Sequence, residues 1–363
     1  MKTEIIKISL EFPESDKLKY CGAVIRYGGL VAFPTETVYG LGGSAYNGKA
    51  AAGIFAAKGR PSDNPLIVHV SDYMMAECAG SFSDNAQREL FYRLGNAYWP
   101  GPLTMIVNKT FRIPPEVSGG LATVGLRMPS NRIARELIRA AGVPIAAPSA
   151  NSSGRPSPTR FSHVFEDMNG KVDVIIDGGD CTVGVESTVL DLNSAVPTIL
   201  RPGAVTRSDI AAIAGDCREF DWRVPGDKVE RPKSPGMKYR HYAPKAPILL
   251  FSGRPEAVKQ EIQARLAAFK EAGKHAAVLA TEERLCYYTD AWLALSLGSA
   301  ADPEAHAARL FECLRRFDEA GAEVILAEAL PEEGVDDAVM NRMFRAAGGK
   351  IVPVGGEELK GKS

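Results

Sequence analysis

The sequence predicts an α/β protein in two parts, a mixed sheet with surrounding helices followed by a smaller doubly wound α/β unit. Three observations carry this reading. Short apolar runs alternate with helical periodicity along the whole chain. At 363 residues the chain is more than twice a typical domain of about 150. Between Arg223 and Lys245, four prolines, two glycines and a net charge of +5 interrupt the pattern. Proline fixes φ and removes a donor, so that stretch should run extended. The expected division is residues 1–210, a basic linker over 211–246 and a C-terminal unit over 247–355.

Each strand of the first part is a brief β-branched or apolar run bounded by Gly, Pro or polar residues. The runs are Leu30–Phe33, Pro65–Val70, Leu103–Val107, Thr123–Arg127, Val143–Ala147, Val172–Asp177, Ser187–Leu192 and Thr198–Arg201. Helical spacing marks Lys17–Tyr27, Lys49–Lys58, Ser83–Tyr98 and Asn131–Ala141. Some connections are too short for crossover helices, so the sheet should be mixed. After the linker the alternation is cleaner. Strands are expected at Pro247–Phe251, Ala276–Ala280, Leu293–Leu297, Glu323–Ala327 and Lys350–Val354, and helices at Glu256–Ala272, Glu304–Ala320 and Ala338–Ala347.

Composition excludes several classes. With 45% hydrophobic and 24% charged residues, extensive disorder is not expected. Lys plus Arg (43) and Asp plus Glu (44) leave a net charge of −1, which argues against a surface that grips nucleic acid all over. It leaves room for one basic pocket. The six cysteines at positions 21, 78, 181, 217, 286 and 313 contain no C-x-x-C pair, so reduced, mostly buried thiols are expected. The charged N-terminal segment is no signal peptide, and no apolar run approaches the roughly 18 residues that span a bilayer. A soluble, cytoplasmic protein is expected.

The densest chemical cluster is FPTETVYGLG at 33–42, where hydroxyls, a carboxylate and glycines follow a strand. Its bland reading is a strand-to-helix turn. Next, Lys58 and Arg60 flank Gly59 where a helix gives way to a strand, with Asn64 close behind. Exposed there, they could aim an ammonium and a guanidinium fork at one polyanion. His69 sits in an apolar strand, where a satisfied core histidine is the commoner case. Arg127 ends a strand whose other members are apolar, so it should want an anionic partner, either a carboxylate substrate or an internal acid. The APSANSSG loop at 147–154 is rich in hydroxyl and amide groups. Glu186 and Ser187, then Arg201, lie at the polar ends of further strands. The P-loop, H-E-x-x-H and G-x-S-x-G signatures are missing.

In this order, FPTETVYGLG, the Lys58–Arg60 pair, NPLIVHV, VGLRMP, APSANSSG, VESTVLD and LRPG resemble the YrdC-type threonylcarbamoyl-AMP synthases. The SPGMKYRHYAPKAP linker and the α/β unit after it resemble the longer, two-domain form. The resemblance implies a twisted mixed sheet around a concave basic cavity, and a nucleotidyltransferase making threonylcarbamoyl-AMP and pyrophosphate from L-threonine, bicarbonate and ATP. The product would serve the tRNA threonylcarbamoyl transferase machinery, which modifies the adenosine beside the anticodon. Carried over by motif, Lys58, Arg60, Asn64, Thr123, Ser149, Ser157, Arg201 and His241 would contact ATP. Lys58, Arg60, Ser149 and Asn151 form the catalytic signatures, Asn151 either binding phosphate or ordering its loop. Thr35, His69, Arg127, Ala147 (through its backbone) and Ser187 would hold L-threonine, Arg127 pairing with its carboxylate. The linker would close as a lid bearing Arg240, His241 or Tyr242. Mg2+ is expected on the phosphates of ATP, with no protein ligand assigned, and the chain is expected to be a monomer away from membranes. Two alternatives stand beside this. One is a non-catalytic double-stranded RNA-binding module, against which the near-zero charge weighs. The other is the carbamoyl-adenylate chemistry of hydrogenase maturation, whose cysteine-pair zinc modules are missing here.

Overall fold

The computed structural model describes residues 2–223, 234 and 241–355. The chain divides into two compact units. Among the described residues the first takes in 2–153, 157–220 and 234, and the second 154–156, 221–223 and 241–355. Most of the Arg223–Lys245 stretch, Arg240 included, lies outside the described residues.

The first unit is built on one mixed sheet. Its strands are β1 (Glu4–Lys7), β2 (Val31–Phe33), β3 (Gly40–Ser44), β4 (Ile67–His69), β5 (Gly80–Ser81) and β6 (Leu103–Lys109). Next come β7 (Thr123–Arg127), β8 (Ile145–Ala146), β9 (Val174–Asp177), β10 (Thr188–Asp191), β11 (Thr198–Arg201) and β12 (Arg218–Glu219). Their order across the sheet is β1-β9-β2-β3-β8-β4-β7-β6-β10-β11-β12, with β5 paired to β6. β4 runs parallel to β7 and antiparallel to β8. β6 runs antiparallel to β7 and parallel to β10. The expected mixed sheet is present.

The bland reading of the 33–42 cluster, a strand-to-helix turn, does not hold at its end: Gly40–Ser44 form β3, a buried strand antiparallel to β2. Glycine is a poor strand former, but here packing demands it. A Cβ on Gly42 would stand 2.6 Å from Ile145 Cγ2 and 2.7 Å from Phe33 Cε1. Helices Tyr73–Ala79, Phe161–Met168 and Arg207–Ala214 also extend the expected set. At seven or eight residues each, their apolar period is too brief to read from sequence.

Helices Ser15–Arg26 and Arg132–Ala141 pack together, burying Leu18, Cys21 and Ile25 on one and Ile133, Leu137 and Ile138 on the other. Asn131 Oδ1 accepts the Ala134 N–H at 3.2 Å to start the second helix, and Gly142, at φ 67°, ends it. The helices meet at Gly22, where a Cβ would lie 2.6 Å from Ala140 C and 2.7 Å from Ala141 N. Backbone atoms cannot rotate aside as a side chain can.

The second unit carries a five-stranded parallel sheet. Its strands are β13 (Ile248–Gly253), β14 (Ala276–Ala280), β15 (Leu293–Ser296), β16 (Val324–Glu328) and β17 (Val352–Val354), in the order β15-β14-β16-β13-β17. Helix Pro255–Glu271 covers the face presented by Phe251, Val278 and Leu326. The alternate residues Leu250, Ala277, Leu279, Ile325 and Ala327 are equally buried, so both faces are covered, as a doubly wound sheet requires. No helix among the described residues is long and apolar enough to cross a membrane.

Gly22→Ala gains helix propensity of about 1 kcal/mol but overpacks the helix contact, for a net loss of roughly 1–2 kcal/mol. Urea unfolding measures the change. A midpoint equal to or above wild type would contradict the packing.

Candidate active site

Helix Gly48–Lys58 starts on an Asn47 cap and ends at Gly59, whose left-handed φ of 64° turns the chain. Lys58 is therefore its last residue, where a cation suits the helix C-terminus. Lys58 is buried, at 4% exposure, which corrects the expectation of an exposed turn. Its Nζ donates to Ser149 O, to Asn151 O at 2.5 Å and to Asn151 Oδ1 at 3.3 Å. Ser149 Oγ donates to the same Asn151 Oδ1 at 2.5 Å, and the Ser153 N–H returns to Lys58 O at 2.8 Å. The two sequence signatures thus meet in one hydrogen-bonded cluster. Beside it, Arg60 Nη2 donates to Pro65 O at 3.3 Å. Asn64 is fully buried, yet among the described residues neither Nδ2 nor Oδ1 has a partner. Buried amides normally pair, so this one has a donor and an acceptor open to a ligand or water.

Strand register separates a second group from the first. β4 and β7 pair in parallel with His69 opposite Arg127, at the carboxyl ends of both strands. Thr123 opens β7 at the other end. β8 runs antiparallel to β4, so the chain after Ala146 heads back toward the start of β4, and the Ala147 N–H donates to Ile67 O. Ser149 then bridges to Gly40. Lys58, Asn64, Ser149 and Thr123 therefore belong to the amino ends of β4 and β7. His69 and Arg127 belong to the carboxyl ends.

Arg127 is buried and finds its anion inside the protein. Its Nη2 donates to Glu36 Oε1 at 2.7 Å, and Nε reaches Gly101 O at 3.4 Å. His69 is buried too, edge-on to Phe33, with Nδ1 unpartnered. Burial first, then the neighbouring Arg127 charge, push its imidazole down to about 3. It is neutral at physiological pH.

Ser187 and Arg201 gather at this same end. The Thr188 N–H donates to Pro102 O, and the Gly101 N–H donates to Met128 O, which ties the start of β10 to the end of β7. Arg201 Nη2 donates to Ser187 O at 2.9 Å and to its Oγ at 3.2 Å, and Thr104 Oγ1 lies 2.7 Å from that hydroxyl. Ser157 Oγ donates to Glu186 Oε1 at 2.5 Å. The Thr35 hydroxyl is committed to its own turn, donating to Val38 O at 2.6 Å. His241 belongs to the second unit, with its ring 5.5 Å from that of Tyr242. Glu36, Thr104 and Glu186 received no role from sequence. Only Glu36 left a signal, because a buried Arg127 needs a carboxylate and Glu36 lies within the densest motif.

In class, this is an α/β protein whose sheet collects fixed cations and vacant polar groups at two ends, as a ligand with several anionic groups requires. Residues 23–203 match the family model described as "Telomere recombination" and residues 205–348 that of the "Threonylcarbamoyl-AMP synthase, C-terminal domain". The threonylcarbamoyl-AMP synthase of Bacillus subtilis (strain 168) is 43% identical over 356 residues, 97% of this chain and 100% of that protein. That of Pyrococcus abyssi is 44% identical over 342 residues, 94% of this chain and 97% of the other. The crystal structure of P. abyssi Sua5 complexed with L-threonine superposes at a TM-score of 0.90 and 43% identity, covering 97% of this chain and 100% of that one. The chain belongs to the two-domain threonylcarbamoyl-AMP synthase family.

A histidine buried neutral has a folded pKa below its unfolded value of about 6.5. Its contribution to stability is therefore complete above that pH and is lost as pH falls toward 3, at up to about 1.4 kcal/mol per pH unit. His69 is expected to show no imidazole titration between pH 5 and 8 by NMR, assigned by comparison with His69→Gln. A midpoint near 6.5 would contradict its burial beside Arg127.

Proposed function

We infer that the chain is a threonylcarbamoyl-AMP synthase, joining L-threonine, bicarbonate and ATP into threonylcarbamoyl-AMP and pyrophosphate for threonylcarbamoyladenosine formation in tRNA. The observation that supports this best is the two-ended site. Lys58, Arg60 and the vacant Asn64 amide stand at one end, suited to phosphates, and Arg127 with a neutral His69 at the other, suited to an amino acid.

The chemistry fits that division. The neutral amine of threonine adds to the carbon of CO2 formed from bicarbonate, releasing a proton and leaving an N-carboxylate. An oxygen of that carboxylate attacks the α-phosphorus of ATP. The bond from that phosphorus to the oxygen bridging toward the β-phosphate breaks, and pyrophosphate carries that oxygen away. No protein nucleophile is required. What lowers the barrier is alignment of the two substrates and charge placed where the phosphates shed it. Arg127 takes the threonine carboxylate, and His69 accepts an N–H without adding a second positive charge. Ser187, held between Thr104 and Arg201, presents a fixed hydroxyl to the side chain. Magnesium enters this reading as a companion of the nucleotide. Among the described residues no group of three or more His, Cys, Asp or Glu side chains is placed to hold a metal ion.

Lys58→Ala should lower pyrophosphate release by about 30- to 1000-fold, from the roughly 2–4 kcal/mol that such a charge supplies in a closed site. It should also lower the melting temperature, because Ser149 and Asn151 lose their common donor. Asn151→Ala, which keeps the ammonium, should lose less activity. Release measured with threonine, bicarbonate and ATP, each omitted in turn, decides it. A wild-type rate from Lys58→Ala would overturn the assignment.

A further inference from the structure

We infer that Glu36 is a positioning residue for the amino-acid end of the site: it sets the orientation in which Arg127 receives the substrate carboxylate. The inference rests on the reading of Arg127 given above.

Glu36 lies buried between β2 and β3 with both carboxylate oxygens committed. Oε1 accepts from Arg127 Nη2 at 2.7 Å, and Oε2 accepts the Ser130 N–H at 3.1 Å. Its backbone is fixed as well, since the Val183 N–H donates to Glu36 O at 2.7 Å. The carboxylate is thus held by two groups of the segment 127–130, and the residue's backbone by Val183. Its anchoring is passed to Arg127, because Nη2 is held by Glu36 and Nε by Gly101 O. A guanidinium is a rigid plane, so fixing two of its nitrogens fixes the third. Among the described residues Nη1 makes no hydrogen bond.

Charge points the same way. A buried arginine without a counterion is costly, whereas this ion pair lets the guanidinium stay buried and oriented before any ligand arrives. The facing ring of His69 is neutral and does not compete for Glu36. A carboxylate ligand needs the fork at the correct angle as well as its charge. Glu36 supplies that angle without itself touching the substrate.

The test compares KM for L-threonine and for ATP, with melting temperatures, in Glu36→Gln, Glu36→Ala, Arg127→Ala and the double variant Glu36→Ala/Arg127→Ala. Glu36→Ala should raise KM for threonine at least about tenfold and leave KM for ATP within about twofold. Glu36→Gln keeps an oxygen for Nη2 and should recover most of that loss. In the Arg127→Ala background, Glu36→Ala should add less than about twofold. The double variant removes both charges, so it keeps the test available if Glu36→Ala alone does not fold. Additive losses in the double variant, or a glutamine no better than alanine, would overturn the inference. If Arg127→Ala impairs threonine use and Glu36→Ala does not, Glu36 has no such role. An Arg127→Ala variant with wild-type KM for threonine would instead remove the reading of Arg127 itself.

Discussion

A lysine ammonium buried at the end of a helix must find its acceptors within the protein, because an unpaired charge there costs several kcal/mol. Lys58 finds them on Ser149 and Asn151. That contact joins a helix terminus to a loop some ninety residues further along the chain. Gly59 ends the helix with a left-handed turn directly after Lys58, and the Ser149 hydroxyl and the Lys58 ammonium share the Asn151 side-chain oxygen. The end proposed to take phosphates is assembled from pieces that are each weak alone.

The sheet sets the distance to the other end. Because β4 and β7 are parallel and in register, His69 and Arg127 emerge side by side. Because β8 returns antiparallel, its following loop is sent back to Lys58. Mixed strand directions are therefore the means by which one surface has two chemically different ends. Burial then does opposite things to two basic residues. Arg127 keeps its charge by pairing with Glu36, while His69, next to it, is driven neutral. An amino acid presents a carboxylate and an amine, and the proposed function assigns one to each of these two side chains.

Much of this is legible in the sequence. The parallel C-terminal unit reads nearly strand for strand, because its continuous apolar runs alternate with long helices of clear period. β3 does not, since Gly40–Ser44 has glycine where a strand would normally carry branched side chains, and only the positions of Phe33 and Ile145 explain it. The family motifs name Lys58, Ser149, His69 and Arg127. Their partnerships are hidden, because hydrogen bonds between residues some ninety apart leave no local pattern. Lys58 looks like a surface residue because Lys-Gly-Arg usually is one. Glu36 is visible as a residue and invisible as a partner, since the need of Arg127 for an anion does not say which acid meets it.

The account turns on a site that works through charge and alignment, without a bond to the protein. The thiols agree with that, for burial pushes Cys21 up to about 12 and Cys217 and Cys313 up to about 11, leaving them essentially unionised at neutral pH. The most direct measurement is exchange of radiolabelled pyrophosphate into ATP. If the proposed N-carboxylate of threonine is the group that attacks the α-phosphorus, exchange should require threonine and bicarbonate together with the full chain. Exchange supported by the protein and ATP alone would mean that the nucleotide is first transferred to a residue of the enzyme, and would contradict the account.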